Sequence, residues 1–196
     1  MNHYLALGDS YTIGEGVAEM DRWPEQWAKH MGEQGHAIYQ PVRIIAQTGW
    51  TTDELMLAID AEGDIGTWDY VSLLIGVNNQ YRGRSVEEFN TDFEQLAKKA
   101  IDFAGKQPEK VFVLSIPDWG QTPFGQACGR ETSQISQEID SFNLVIELTC
   151  QRLQIRYWDI TSITRENSKN PLMHTNDGLH PSKFMYEIWV NTLFSH

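Results

Sequence analysis

Short, densely apolar runs alternate along this chain with longer stretches in which apolar residues return every three or four positions. The runs are His3–Leu7, Val42–Gln47, Tyr70–Ile75, Lys110–Ser115 and Arg156–Trp158. Two of them, YVSLLI and KVFVLS, are near-continuous, as expected of strands buried on both faces of a parallel sheet. Between the runs, Trp23–Gln34 and Thr51–Glu62 read as helices, the second opened by Thr51 and Glu54 at capping-box spacing. Ser85 and Glu88 repeat that device. Behind Ser85, the residues Phe89, Phe93, Leu96, Ala100 and Phe103 lie on one helical stripe, and Ile135, Ile139, Phe142, Ile146, Cys150 and Leu153 lie on another. A last helix is predicted to start near Pro181 and to carry Tyr186, Ile188, Trp189 and Leu193. The alternation predicts the α/β class: a three-layer α/β/α sandwich around a five-stranded parallel sheet. No Pro/Ser-rich linker or composition break divides the chain, so one domain over residues 1–196 is expected.

Composition narrows the functional classes. A hydrophobic content of 41% with seven Trp and eight Phe excludes a disordered chain. No apolar run approaches the ~20 residues that cross a bilayer, so no transmembrane segment is expected. Fifteen Lys and Arg stand against 27 Asp and Glu, and the resulting charge of −12 repels nucleic-acid phosphates and anionic lipid surfaces. No nucleic-acid partner is expected. The first strand begins at about His3, which leaves no room for a secretory leader; unless one has been trimmed, a cytoplasmic protein is expected. Cys128 and Cys150 are too far apart for a CxxC motif and too few for a zinc site, so both read as reduced thiols, Cys150 on the core face of its helix. The candidate loops contain no HxxxH, HxH or carboxylate cluster of ligand spacing, and neither a metal nor a cofactor is expected.

In open parallel sheets, ligands bind beyond the carboxyl ends of the strands. That rule selects GDSYTIGEG (8–16), QTGWTTDE (47–54), GVNNQYRG (76–83) and IPDWGQTPFGQ (116–126). A dinucleotide-binding GxGxxG aligned on Gly8 would need glycines where the chain has Ser10 and Ile13, and no Lys follows a glycine at P-loop spacing. The elbow GxSxG of α/β-hydrolases matches Gly8 and Ser10 but meets Thr12 in place of its second glycine. Two readings remain: a serine nucleophile just past a strand end, or an ordinary turn, for which Gly, Asp and Ser are common residues. Asp9 reads as a residue that ties the loop down.

A serine nucleophile needs a base, a group that orients the base, and donors for the oxyanion. Of the six histidines, His3, His30, His36 and His196 read as structural or solvated, which leaves His174 and His180 in NPLMHTNDGLHP. Pro181 favours the first position of a helix and so places His180 at a helix N-terminus, where the dipole opposes imidazolium. Asp177, three residues earlier, is placed to reach its Nδ1. A plain turn at Asp177 and Gly178 with His180 capping the helix accounts for the fragment too. Gly49 and Asn78, in the loops after the second and third strands, supply a close-approaching backbone N–H and a neutral amide donor.

These blocks resemble the GDSL or SGNH hydrolases. GDSY offers Ser10, TGWTT offers Gly49, GVNN offers Asn78, and DGLHP offers Asp177 and His180, over nearly the whole chain. The resemblance implies a flavodoxin-like fold and serine ester hydrolysis. Ser10 would attack the acyl carbonyl, His180 would take and return its proton, and Asp177 would orient His180. The N–H groups of Ser10 and Gly49, with the Asn78 side chain, would hold the oxyanion. One departure is visible: the family often has GxND in its third block, whereas Asn79 stands here. The substrate expected is a small-molecule ester of short to medium acyl chain, lined by the loop aromatics Tyr11, Trp50, Tyr81, Trp119 and Phe124. Lysophospholipids and thioesters are substrates of family relatives. A carbohydrate acetyl ester is the alternative substrate, and a catalytically silent binding module is the alternative of another class.

Overall fold

Right-handed crossovers between parallel strands dictate most of the layout seen in a computed structural model, which describes residues 1–194. The strands are β1 (Tyr4–Gly8), β2 (Arg43–Ala46), β3 (Tyr70–Leu74), β4 (Val111–Leu114) and β5 (Arg156–Trp158), each within one residue of its predicted bounds. They form one all-parallel sheet in the order β2-β1-β3-β4-β5. This is the flavodoxin-like order, whose direction of travel reverses at the crevice between β1 and β3.

The helices are α1 (Ser10–Ile13), α2 (Trp23–Glu33), α3 (Thr52–Glu62), α4 (Val77–Tyr81), α5 (Val86–Phe103), α6 (Pro123–Ala127), α7 (Thr132–Leu153), α8 (Thr161–Asn167) and α9 (Lys183–Leu193). Because the chain reverses across the sheet after β2, α2 and α9 pack together on one face, while α3, α5 and α7 pack together on the other. The two predicted stripes meet between α5 and α7, where Phe89 and Phe142 lie 4.7 Å apart, and Cys150 is fully buried. On the other face the Trp27 ring packs, tilted, against Tyr4 and Phe112 at 4.6 and 5.0 Å between centroids. Both cysteines are free thiols.

Three expectations need correction. The capping box at Thr51 and Glu54 forms, with the Glu54 carboxylate accepting from Thr51 N–H at 2.9 Å. At Ser85 only half of it forms: Ser85 Oγ accepts from Glu88 N–H, but the Glu88 carboxylate pairs with Arg84 at 3.6 Å. The last helix does not begin at Pro181. Its cap is Ser182, whose hydroxyl accepts from Phe184 and Met185 N–H, because Pro181 is held in an antiparallel bridge with His174. His180 is therefore not at the helix N-terminus, and the dipole argument does not apply to it. Finally, α1, α4, α6 and α8 were unforeseen, since four to seven residues are too few to display a periodic stripe.

Candidate active site

β1 ends at Gly8, where a Cβ would collide with Thr12 and with the Leu74 carbonyl. That close approach lets the chain turn directly from β1 into α1. Asp9 caps α1 by accepting from Tyr11 N–H at 3.0 Å, and Gly14 closes it in the left-handed conformation at φ 72°. Asp9 thus ties the loop down, as its position implied. Ser10 is the first residue of α1, so its N–H has no partner within the helix. It stands beside the β1/β3 crevice, and Asn78 stands on the other side of it.

Asp177 and His180 sit in a loop closed upon itself by Thr175 N–H to the His180 carbonyl at 2.8 Å and Gly178 N–H to the Thr175 carbonyl at 3.0 Å. His180 Nδ1 lies 2.6 Å from Asp177 Oδ2. The other carboxylate oxygen accepts from the Thr175 hydroxyl at 2.7 Å and from the N–H groups of Leu179 and His180 at 2.8 and 3.0 Å. Partial burial works to raise the Asp177 carboxyl, but the bonds from His180, Leu179 N–H and Thr175 outweigh it and hold the group well below the usual carboxylate range. Asp177 is fixed as an acceptor. With Nδ1–H donating to it, His180 keeps Nε2 as a proton acceptor. His180 is nearly buried and lines the same cavity as Ser10, although no hydrogen bond joins the two among the described residues.

The Gly49 loop is held from α4 and the residue after it. Asn78 Nδ2 donates to the Trp50 carbonyl at 2.9 Å, which orients the amide and leaves its second N–H free. Asn79 is wholly buried; its Oδ1 accepts from Thr52 N–H at 3.1 Å and its Nδ2 donates to Thr52 Oγ1 at 2.7 Å. The Thr52 hydroxyl in turn donates to Asp92 Oδ2 at 3.1 Å. Arg82 donates to the Gly49 carbonyl at 2.6 Å and pairs with Glu54 at 3.3 Å. From the other side, Thr48 donates to Glu15 of the first loop. Gly49 has φ 89°, and its N–H, like that of Ser10, donates to no protein acceptor among the described residues.

Ser10, Gly49, Asn78 and His180 line one cavity of about 220 Å³, with Tyr11, Thr48, Val77, Tyr81, Trp119, Phe124 and Leu179 as the rest of its wall. Four of the five predicted aromatics are there. Trp50 is the exception: its ring packs half-buried against the core, and it serves the site through its carbonyl. His174 turns away, its Nε2 on the Ser168 carbonyl at 2.8 Å. His3 stacks on Tyr39 and His30 on Phe194, whereas His196 lies outside the described residues. Arg82 and Glu15 have no sequence signal because each meets its partner, Gly49 or Thr48, only after folding, 33 positions away; Thr175 is local to Asp177, but a Thr two residues before an Asp is an ordinary turn pattern.

Below Ser10 the Asp9 carboxyl is fully buried, its Oδ2 without a hydrogen-bond partner, and Thr12 Oγ1 is also unpaired. Burial pushes the Asp9 carboxyl up to about 7 against the lowering effect of the Tyr11 N–H.

An open parallel sheet carrying such loops at its carboxyl edge is the architecture of the GDSL-type lipolytic hydrolases. The chain belongs to the GDSL-like lipase/acylhydrolase family, whose profile matches residues 6–188. No curated protein sequence matches it. Among solved structures it is similar to a lipase/acylhydrolase from Enterococcus faecalis, at 20% identity and TM-score 0.74, covering 98% of this chain and 93% of that one. It is also similar to the esterase EstA from Pseudoalteromonas sp., solved inhibited by monoethylphosphonate, at 15% identity and TM-score 0.74, covering 99% and 95%. The acetylxylan esterase Axe2 from Geobacillus stearothermophilus is similar at 16% identity and TM-score 0.72, covering 98% and 92%. At these identities the likeness is one of fold. No helix among the described residues is long and apolar enough to cross a membrane.

Proposed function

We propose that this chain is a single-domain serine hydrolase of carboxylic esters with short to medium acyl groups. The observation that carries the reading is the 2.6 Å Asp177–His180 bond on the wall of a cavity that also takes in Ser10, Gly49 and Asn78. His180 Nε2 removes the Ser10 hydroxyl proton as Oγ attacks the ester carbonyl. The carbonyl oxygen becomes an oxyanion held by the N–H groups of Ser10 and Gly49 and by the free N–H of Asn78. Collapse of this intermediate returns the proton to the leaving alcohol and leaves an acyl-enzyme, which water opens by the same route in reverse. Asp177 holds the tautomer and stabilises the imidazolium formed on the way. A cavity of about 220 Å³ is somewhat larger than the ~150 Å³ that encloses a benzene ring and suits a short acyl group.

Removal of acetyl groups from carbohydrate is a second reading, supported by Tyr81, which is 53% exposed at the mouth and presents a ring on which a sugar can stack. The test is common to both. An ethyl organophosphonate should label the native protein and not Ser10→Ala, and that substitution should lower kcat by about 10⁴- to 10⁶-fold with little change in thermal stability. Turnover near the native rate in Ser10→Ala would overturn the assignment, and an unlabelled, inactive native protein would favour a binding module.

A further inference from the structure

The residues of α4 after Val77 grip the two opposite sides of the cavity. Asn78 and Asn79 hold the loop that carries Gly49, through Trp50 and Thr52. Gln80 and Tyr81 face the opposite wall of the cavity, where the Tyr81 ring stands edge-on to Trp119 at 5.3 Å. Five residues of helix therefore join the oxyanion side of the site to its apolar side.

Gln80 is the joint. It is 2% exposed, and both ends of its amide are committed: Oε1 accepts from Trp119 Nε1–H at 2.7 Å, and Nε2 donates to Glu138 Oε2 on α7 at 2.5 Å. Glu138 accepts in addition from Arg130 at 2.8 Å and Gln134 at 2.9 Å. The Arg130 guanidinium lies 5.7 Å over the Trp119 ring, so the circuit closes on itself. Trp119 cannot yield to an occupant of the cavity without drawing on Gln80, two residues from Asn78 on one rigid turn.

Resting on the ester-hydrolase reading, we propose that Gln80 is a positioning residue that transmits acyl fit at Trp119 to Asn78, so that the choice among acyl groups is expressed in kcat. An acyl chain long enough to press on the indole seats α4 and with it the amide that meets the oxyanion. An acetyl group, four carbons shorter than a hexanoyl group, engages the apolar wall on which Trp119 stands far less. Binding energy from a remote part of the substrate is then realised in the transition state instead of in KM.

The experiment compares 4-nitrophenyl acetate and hexanoate. In Gln80→Glu the carboxylate can still accept from Trp119 but meets Glu138 with no proton between them; adding Glu138→Gln restores an amide–carboxylate pair in the reverse sense. The expected result is a fall of about tenfold in the hexanoate-to-acetate kcat ratio in Gln80→Glu, with little change in the hexanoate KM, and recovery of the ratio in the double variant. Gln80→Met, which breaks both bonds without burying a charge, should lower the ratio likewise if Gln80→Glu does not fold. A purely structural role would scale both esters together, so an unchanged ratio, or one the double variant fails to restore, overturns the proposal. Native protein that neither turns over an ester nor takes the phosphonate would overturn the ester-hydrolase reading and this inference with it; turnover with an unchanged ratio overturns the inference alone.

Discussion

At neutral pH and above, Asp9→Asn should stabilise the protein, and its stability relative to the native chain should grow as the pH rises. A carboxyl moved from 3.8 to about 7 by burial has a folded state that prefers the protonated form, while the unfolded chain keeps the ordinary value. Below the unfolded value both states hold the proton and the group contributes nothing. Between the two values the unfolded state releases its proton first, so stability falls as pH rises, and above about 7 the whole penalty, on the order of 4 kcal/mol, is in force. Between pH 5 and pH 8 the native protein should thus lose about 2.5 kcal/mol relative to the variant. Asn is as good a cap as Asp and can still accept from Tyr11 N–H, so α1 survives. Its new amide N–H group, placed where Oδ2 has no partner, offsets about 1–3 kcal/mol of the gain unless Thr12 Oγ1, also unpaired, accepts from it. The assay is urea unfolding of both proteins at pH 5, 6.5 and 8 at constant ionic strength. Parallel stability curves would refute the reasoning, because they would mean that Asp9 titrates alike in the folded and unfolded states.

Three further outcomes follow from the site. Asn78→Ala should lower kcat by about 10²- to 10³-fold at nearly constant KM, measured on one short-chain ester, because the lost donor acts mainly as charge develops; a raised KM with intact kcat would make Asn78 a ground-state contact. Asp177→Asn should lower kcat by about 10⁴-fold, since an amide no longer selects the Nδ1–H tautomer of His180, and activity within tenfold of native would remove Asp177 from the triad. Asn79→Asp should retain most of its kcat yet cost about 1–3 kcal/mol in urea unfolding, because the Thr52 hydroxyl cannot donate to the introduced carboxylate and to Asp92 at once; Asp92→Asn should restore the loss, and an additive second loss would refute the coupling.

Hydrophobic patterning made β1, β3 and β4 legible almost to the residue, because strands buried on both faces read as near-continuous apolar runs that mark their own ends, whereas the edge strands β2 and β5 are partly exposed and shorter in their apolar run. The long helices were legible for the related reason that each must hide one stripe. Patterning has no purchase on α4, whose residues are placed by individual hydrogen bonds to side chains remote in sequence. The site was legible only as residue types in loops that the sheet brings to one edge. His180 shows the limit: Pro181 is a good first helical residue in isolation, and a bridge to His174 decides otherwise. Asn79 shows it too, since the partner that rationalises an amide at that position, Asp92, reaches it only through Thr52.

The direction of β1 also bears on how the protein is best tethered. In a parallel sheet every strand enters at the same end, and β1 runs from Tyr4 at that end to Gly8 beside Ser10, a rise of roughly 13 Å at ~3.3 Å per residue. Met1, 84% exposed, is therefore at the base of the molecule with the full height of the sheet between it and the cavity mouth. A support or display scaffold joined through residue 1 leaves the mouth facing solution, so bulky esters should reach an immobilised sample as freely as a dissolved one.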